Sequence, residues 1–480
     1  MSEQRRPNVV MIVSDDQGAW AWGRPSGGVV ETPHLDALAG RGTVLDRFFC
    51  VSPVCSPARA SLFTGRPPSW HGVHDWLKTI NAGPESVDFL AGQDLVTEAL
   101  GDAGYRVGLS GKWHLGASDV MRPGFSHWFA LDGGGTPYDG GLFHRARPDG
   151  SVESGRIEGY VTDTIADDAI GFITDSAGRD EPFCSLVTFT APHSPWTGQH
   201  PEPYVAPHRG RDVTGPDGVP VSQEPPHPWL ATRGGHPNAS EADPDEAKAG
   251  YFGAIAAMDA AVGRILDTLQ RQGVLDDTIV VFTSDNGFNV GHHGLWGKGN
   301  GSWPLNMYDS SVLVPFLAAG PGIARGQSRT DLVSAYDVAE TLCELTGTDA
   351  SRFADGPGQS FAGLLSGSEG ARGDVVVHDE YGGTRMVRTE RWKYVHRTPD
   401  GPHELYDLVA DPAERRNLVD EAEHAAIRDQ LATQLTDWVE AHAHPQRRID
   451  AEVVSGSGQV TAMVPGPGEF SPGLYDQWDH

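Results

Sequence analysis

Cys55 stands in the run Val54-Cys55-Ser56-Pro57-Ala58-Arg59-Ala60-Ser61-Leu62-Phe63-Thr64-Gly65. Pro57 has no amide hydrogen and rules out a regular strand here, while the small residues around it can open a helix. A thiol close to a helix N-terminus and beside a fixed guanidinium is expected to titrate low and to react. An inert core cysteine is the plainer alternative, because free cysteine is among the most buried residue types. The whole spacing, with Pro57, Arg59, Leu62 and Thr64-Gly65 in place, favours the reacting residue.

Two acidic pairs offer a second kind of chemistry. Asn8–Gly18 reads N-V-V-M-I-V-S-D-D-Q-G, and Thr278–Gly287 reads T-I-V-V-F-T-S-D-N-G. Asp15, Asp16, Asp285 and Asn286 are hard oxygen donors with no cysteine or histidine beside them, a set that suits Ca2+ and, less well, Mg2+. One such pair would read as a turn or a helix cap; two matching pairs point to a metal. Lys112 and His114 in Gly111-Lys112-Trp113-His114, His193 in Ala191-Pro192-His193-Ser194-Pro195, and Lys298 in Gly297-Lys298-Gly299 add cations and proton carriers. Singly, each would be an ordinary loop residue.

Such residues need a scaffold that gathers strand ends. The runs before both acidic pairs are continuous and β-branched, as in strands buried on both faces of a parallel sheet. Residues 183–189 and 105–110 read as two more strands, ending at His193 and at Lys112. Ligands of open α/β sheets collect beyond the carboxyl ends of strands, so the acidic tips should share one edge. Residues 32–42 show a Thr cap, a first-turn proline and a terminal glycine. Residues 246–272 place Phe252, Ile255, Met258, Val262, Ile265, Leu266 and Leu269 on one helical face. Strand tip, helix, strand tip is the rhythm of an α/β sandwich. Beyond about 370, residues 375–378, 384–389, 392–395 and 404–408 read as antiparallel strands, followed by an amphipathic helix over 421–442. The expected organisation is a catalytic α/β unit over 1–370 and a smaller α+β unit over 371–480. The latter ends in a Gly/Pro-rich tail carrying Phe470, Tyr475 and Trp478. Residues 197–245, rich in proline, glycine and histidine, read as a loop over the site. Its His200, His208, His227 and His236 lack metal-ligand spacing, and Asn238-Ala239-Ser240 forms a glycosylation sequon.

The run 54–65 resembles the activation motif of the type I sulfatases, formylglycine-dependent enzymes of the alkaline phosphatase superfamily. Gly111–Gly116, following Asp102-Ala103-Gly104-Tyr105, resembles the second signature of that family, with Val107 where Ser or Thr is usual. His193 and Lys298 fall at further matching positions, as do Leu405-Tyr406-Asp407-Leu408 and Asp411-Pro412. Met307–Ser311 matches too, with serines where acids more often follow the tyrosine. The likeness runs from Asn8 to about Leu418. It implies an alkaline-phosphatase-like α/β/α sandwich with a large mixed, mostly parallel sheet, plus a smaller C-terminal antiparallel sheet. It also implies that a formylglycine-generating maturation enzyme oxidises Cys55 to an aldehyde. Asp15, Asp16, Asp285 and Asn286, with the residue formed at Cys55, would then hold the divalent cation.

In the mechanism so implied, the aldehyde hydrate attacks sulfur in line, held by Arg59, while the cation stabilises its oxyanion. Lys112, His193 and Lys298 bind the sulfate oxygens, and His193 or Lys298 protonates the departing alcohol. His114 then takes the proton whose loss expels sulfate. For His293 and Trp296, packing and substrate contact are both open. Trp70, Trp76, Trp196 and Trp303 also lie near motif segments, where indoles can stack on a sugar or aryl ring.

The chain has 480 residues, enough for two or three structural units, and its 38% hydrophobic content excludes a disordered polymer. A net charge of −29, from 36 basic and 65 acidic side chains, argues against nucleic acid and long polyanions as partners. The expected substrate is a small sulfate ester, aryl or carbohydrate. No apolar run approaches the roughly 20 residues that span a bilayer. The N-terminal apolar stretch ends in acids and does not read as an export signal. Cys50, Cys55, Cys184 and Cys343 are too irregularly spaced for a disulfide framework. The expectation is a cytoplasmic sulfuric ester hydrolase without a membrane partner; homo-oligomerisation is open. A phosphonate monoester or phosphodiester hydrolase using the same site is the alternative, with a non-catalytic metal-binding relative behind it.

Overall fold

The β-branched runs become the centre of one large sheet. In the computed structural model, which describes residues 6–78, 82–83, 86–226, 231–232, 243–368, 370, 372–379, 383–398, 401–445 and 458–459, that sheet has ten strands. They are β1 (Asn8–Ser14), β2 (Thr43–Leu45), β3 (Arg106–Lys112), β4 (Phe125–Leu131), β5 (Gly140–Ala146), β6 (Val152–Glu158), β7 (Phe183–Thr188), β8 (Thr278–Ser284), β9 (Phe316–Ala319) and β10 (Gln327–Arg329). Their order is β10-β2-β9-β8-β1-β7-β3-β4-β5-β6. The middle, from β8 through β1, β7 and β3 to β4, is parallel, and β5, β6 and β9 add antiparallel pairings at either side. His227, His236, the sequon at 238–240, and Phe470, Tyr475 and Trp478 lie outside the described residues, as does the side chain of Trp303.

Alternation along β1 decides the layers. Val10 and Ile12 point to one face, where α1 (Pro33–Arg41), α4 (Val161–Ala177) and α5 (Pro244–Arg271) bury Leu35, Ile165 and Ile265 against them. Val9, Met11 and Val13 point to the other face, packed with α2 (Cys55–Thr64), α3 (Val96–Asp102) and α6 (Val338–Thr346) through Leu62, Leu100 and Leu342. Helix α5 alone among the described helices is long and apolar enough to cross a membrane, yet its apolar stripe is buried in this core. A second sheet of β11 (Asp374–Asp379), β12 (Thr384–Thr389), β13 (Trp392–Arg397) and β14 (Glu404–Asp407) is antiparallel. Its Val375 and Val377 join the main core, while Val376 and Val387 pack on Leu431, Leu435 and Val439 of α7 (Ala425–His442).

Register places the chemistry. Ser14 pairs with Ser284, so Asp15 and Asp285 leave adjacent strands at the same level. Val13 pairs with Thr188 and Gly111 with Thr188, which brings the ends of β3 and β7 to that edge. Three local expectations differ. Thr32 does not cap α1; its hydroxyl accepts from the Gly23 amide at 2.8 Å, and Asp259 on α5 accepts the His34 and Leu35 amides instead. The described part of 197–245 is not a bare loop, since Val213 and Val221 are buried with Trp196, Phe252 and Phe288. Strands β4 to β6 have no counterpart in the sequence reading; of these β6, Val-Glu-Ser-Gly-Arg-Ile-Glu, is a largely exposed edge without an apolar face.

Candidate active site

Cys55 is the first residue of α2, a helix buried at every position. Arg59, one turn on, projects from the same face. Its Nε donates to Asp285 Oδ2 at 2.8 Å and its Nη1 to the Lys112 carbonyl at 3.0 Å. Lys112 Nζ lies 2.5 Å from Asp15 Oδ2, and Lys298 Nζ lies 2.6 Å from Asp16 Oδ1. Asn286 donates through Nδ2 to Asp16 Oδ1 at 2.8 Å, and His193 Nε2 sits 3.8 Å from Asp16 Oδ2. The strand ends thus bring Asp15, Asp16, Asp285, Asn286, Arg59, Lys112, His193 and Lys298 into one contiguous cluster.

Asp16 and His114 hold positive φ angles of 65° and 57°. Left-handed backbone at a residue with a side chain costs on the order of 1 kcal/mol and collects at functional sites. At His114 the conformation carries a specific consequence. Its Nε2 lies 3.0 Å from the Leu77 carbonyl, which only accepts, so Nε2 carries the proton and Nδ1 keeps its lone pair. Nδ1 is buried and has no hydrogen-bond partner. Burial, reinforced by Lys112, holds this imidazole well below its ordinary pKa, so it is neutral and able to accept a proton. His193 is likewise pushed down to about 4 by burial, against the pull of Asp16.

The thiol behaves otherwise than the sequence frame implied. Burial pushes Cys55 above its ordinary pKa, outweighing the pull of Lys112 and Lys298, with Asp15 and Asp285 adding smaller pushes upward. The helix N-terminus is real, but the side chain is sequestered from water and Arg59 is committed to Asp285 and to a carbonyl. As a cysteine this residue is a poor nucleophile.

The oxygen set fits a divalent cation. Asp15, Asp16 and Asp285 each offer a carboxylate oxygen within 4.8 Å of the others, and all three are buried. Asp15 Oδ1 and Asn286 Oδ1 are buried without a hydrogen-bond partner. Burial, then Asp285, pushes Asp15 up to about 8, the mark of a carboxylate short of positive charge. Burial also opposes ionisation of Asp16 and Asp285, but Lys298 and His193 bring Asp16 down to about 2, and Arg59 draws Asp285 below the usual range. All-oxygen donors of this kind match Ca2+ or Mg2+.

Two residues are placed apart from this cluster or only beside it. His293 stacks on the Tyr308 ring at 3.5 Å, takes Glu224 on its amide, and faces a separate cavity of about 440 Å3 bounded also by Trp20, Asp309 and Pro412. Trp296 is half-buried on a short hairpin two residues before Lys298, its ring against Trp196 at 5.6 Å. Trp196 itself is buried, not presented to a ligand.

Several participants carry no sequence signal. Leu77 acts through its backbone, accepting from His114 and donating to the Ser56 hydroxyl at 3.1 Å. Tyr251 OH donates to the Asp16 carbonyl at 2.8 Å, a polar tip within an otherwise apolar stripe. One of the serines after Tyr308 supports Lys298: Ser311 Oγ donates to Asn306 Oδ1 at 2.6 Å, and Asn306 Nδ2 donates to the Lys298 carbonyl at 3.1 Å.

The chain as a whole is similar to known proteins. The sulfatase family profile matches residues 7–348, and that of the N-sulphoglucosamine sulphohydrolase C-terminal region matches 291–441. A choline-sulfatase from Rhizobium meliloti is 28% identical, over 99% of this chain and 93% of its own. A structure solved in complex with its substrate D-glucosamine-2-N,6-O-disulfate superposes with a TM-score of 0.74 at 24% identity, covering 91% of this chain and 98% of the other. The phosphonate monoester hydrolase of Agrobacterium radiobacter shares the fold at a TM-score of 0.64 and 24% identity, over 91% and 96%. The profile match spans most of the chain, strand tips and buried helix included, and the protein belongs to the sulfatase family of sulfuric ester hydrolases, within the alkaline phosphatase superfamily.

Proposed function

We propose that this chain hydrolyses a small sulfate monoester at the cluster around Cys55, with Arg59, Lys112, His114, His193 and Lys298 as the working side chains. One observation carries the reading: three carboxylates, Asp15, Asp16 and Asp285, are matched by three cations, Arg59, Lys112 and Lys298, at the N-terminus of the helix that Cys55 opens. Counted with all three carboxylates ionised, the cluster is near neutral. A divalent cation held by Asp15, Asp16, Asp285 and Asn286 would add two positive charges and stabilise negative charge on oxygen. An aldehyde formed from Cys55 would, once hydrated by water, supply the hydroxyl nucleophile that the buried thiol does not.

The remaining work belongs to side chains in place. Arg59, fixed by Asp285 and the Lys112 carbonyl, holds the group at position 55 in one orientation. With Asp15 and Asp16 holding a cation, Lys112 and Lys298 would be free to bind sulfate oxygens. His193, hydrogen-bonded through Nδ1 to the Ser194 carbonyl at 2.8 Å, presents Nε2 to the site; the negative charge of a bound sulfate would raise it from about 4 and load Nε2 with the proton it passes to the departing alcohol. Its side chain is 24% exposed, which supports setting the alcohol side of the pocket at His193. His114 accepts through Nδ1. The charge of −29 supports a small ester over a long polyanion, and the relatives named above include a choline-sulfatase and a protein bound to a sulfated glucosamine.

The test is the mass of the tryptic peptide bearing Cys55, after co-expression with a maturation enzyme, alongside rates on paired aryl sulfate and aryl phosphonate esters. Activity should scale with the fraction of aldehyde, and the sulfate should turn over faster. Faster phosphonate hydrolysis would overturn the substrate class; full activity with an intact thiol would remove the aldehyde.

A further inference from the structure

Strand β4 ends at Leu131 and is followed by Asp132-Gly133-Gly134-Gly135-Thr136, a stretch that none of the site residues above includes. A methyl carbon at Gly134 would lie 2.4 Å from both Cε1 and Nε2 of His114, and 2.9 Å from its Nδ1. One at Gly135 would lie 3.2 Å from Cε1 and Nδ1 of His193. Consecutive α-carbons therefore face the two imidazoles, one each. Gly133 has a φ of 79° and needs glycine for conformation, but Gly134 lacks a positive φ, so glycine is required there for space.

The segment is anchored at both ends. The Asp132 amide donates to the Leu142 carbonyl at 2.9 Å, continuing the β4–β5 ladder. Tyr138 takes the Gln199 side chain on its amide at 3.0 Å, and its carbonyl accepts from Val161 at the start of α4 at 2.9 Å. Its hydroxyl donates to the His193 carbonyl at 2.8 Å.

We propose that Gly133–Tyr138 is a positioning strap for the two histidines. Gly134 packs on the His114 ring and keeps its Nε2 on Leu77 and its Nδ1 open. Gly135 and Tyr138 orient His193, and the exposed Gly135 leaves a slot beside it for the alcohol. This rests on the reading of His114 and His193 as proton carriers. It adds that the two are set independently by neighbouring glycines.

The test combines kinetics with 15N NMR of the histidine rings, assigned with His114→Gln and His193→Gln. Gly134→Ala should displace the His114 ring signals, leave those of His193, and lower kcat about 100-fold for an activated aryl sulfate and an alkyl sulfate alike, the cost of a shift approaching 1 Å. Gly135→Ala should displace His193 and slow the alkyl ester, a poor leaving group, at least tenfold more than the aryl ester. Tyr138→Phe should follow Gly135→Ala, and these two decide the matter if Gly134→Ala does not fold. Unchanged ring signals and rates, or equal slowing of both esters by the Gly135 and Tyr138 variants, would overturn the strap. Displaced rings together with full activity of His114→Gln and His193→Gln would instead sink the proton-carrier reading and leave the positioning intact.

Discussion

Replacing Asp16 by Asn tests the cluster most directly. The backbone there is left-handed, with φ of 65°, which Asn adopts more readily than other side-chain-bearing residues, so the substitution removes charge without disturbing shape. Burial alone would favour the neutral acid, but Lys298 and His193 bring the carboxyl from 3.8 down to about 2. A depressed carboxyl contributes stability that is present above its unfolded pKa and lost as pH falls through the folded one. At pH 7 the contribution is fully present and amounts to about 2 kcal/mol. For 480 residues, an unfolding entropy of about 2.1 cal/mol/K per residue gives about 1 kcal/mol per kelvin, so the cation-free variant should melt about 2 K lower. Cation at a hundred times its Kd should add about 2.7 kcal/mol to the native protein, a rise of about 3 K. With one charged ligand gone and affinity roughly thirty-fold weaker, the same concentration should add only about 1 K. The assay is thermal melting with and without Ca2+ and chelator, joined to kcat/KM on an aryl sulfate, expected to fall about 100-fold or more. A variant that keeps the native cation-dependent shift would refute the assignment of Asp16 as a ligand.

Two further outcomes concern groups behind the site. His200 is buried and accepts from or donates to Tyr160 OH at 2.9 Å, and burial pushes it from 6.5 down to about 3. The unfolded chain takes up this proton first, so the histidine costs stability as pH falls from 6.5 toward 3. The native protein should lose about 1.4 kcal/mol per pH unit relative to His200→Gln over pH 6 to 4 in urea unfolding, and parallel curves would contradict this. Lys393, fully buried, joins β13 to the main body through Asp309 at 2.5 Å, Glu414 at 2.6 Å and the Met307 carbonyl at 2.9 Å. Lys393→Met strands the buried Glu414 carboxylate and the half-buried Asp309 one and should cost about 3–5 kcal/mol, most of it recovered in the triple variant with Asp309→Asn and Glu414→Gln. A Lys393→Met melt equal to that of the native protein would show the network to be energetically idle.

The central strands, helices α1, α5 and α7, the C-terminal sheet and the acidic tips were legible from sequence, because each is a local pattern: an apolar run, a helical stripe, a fixed motif. Edge strand β6 was not, since an exposed strand needs no apolar face. The motif residues around Cys55, Asp15 and Lys112 could likewise be named from spacing alone. Tertiary structure decided their state. Complete burial raises the Cys55 thiol where a helix terminus and an arginine had implied the opposite, because desolvation of a thiolate outweighs partial charges already committed to other partners. It also sent His293 to Tyr308 and Glu224, and brought in Leu77, Tyr138 and Tyr251, whose parts are played by a carbonyl or by a hydroxyl on a distant backbone oxygen. Sequence spacing determines which groups lie at a strand end; which way each is protonated depends on what the rest of the chain packs around it.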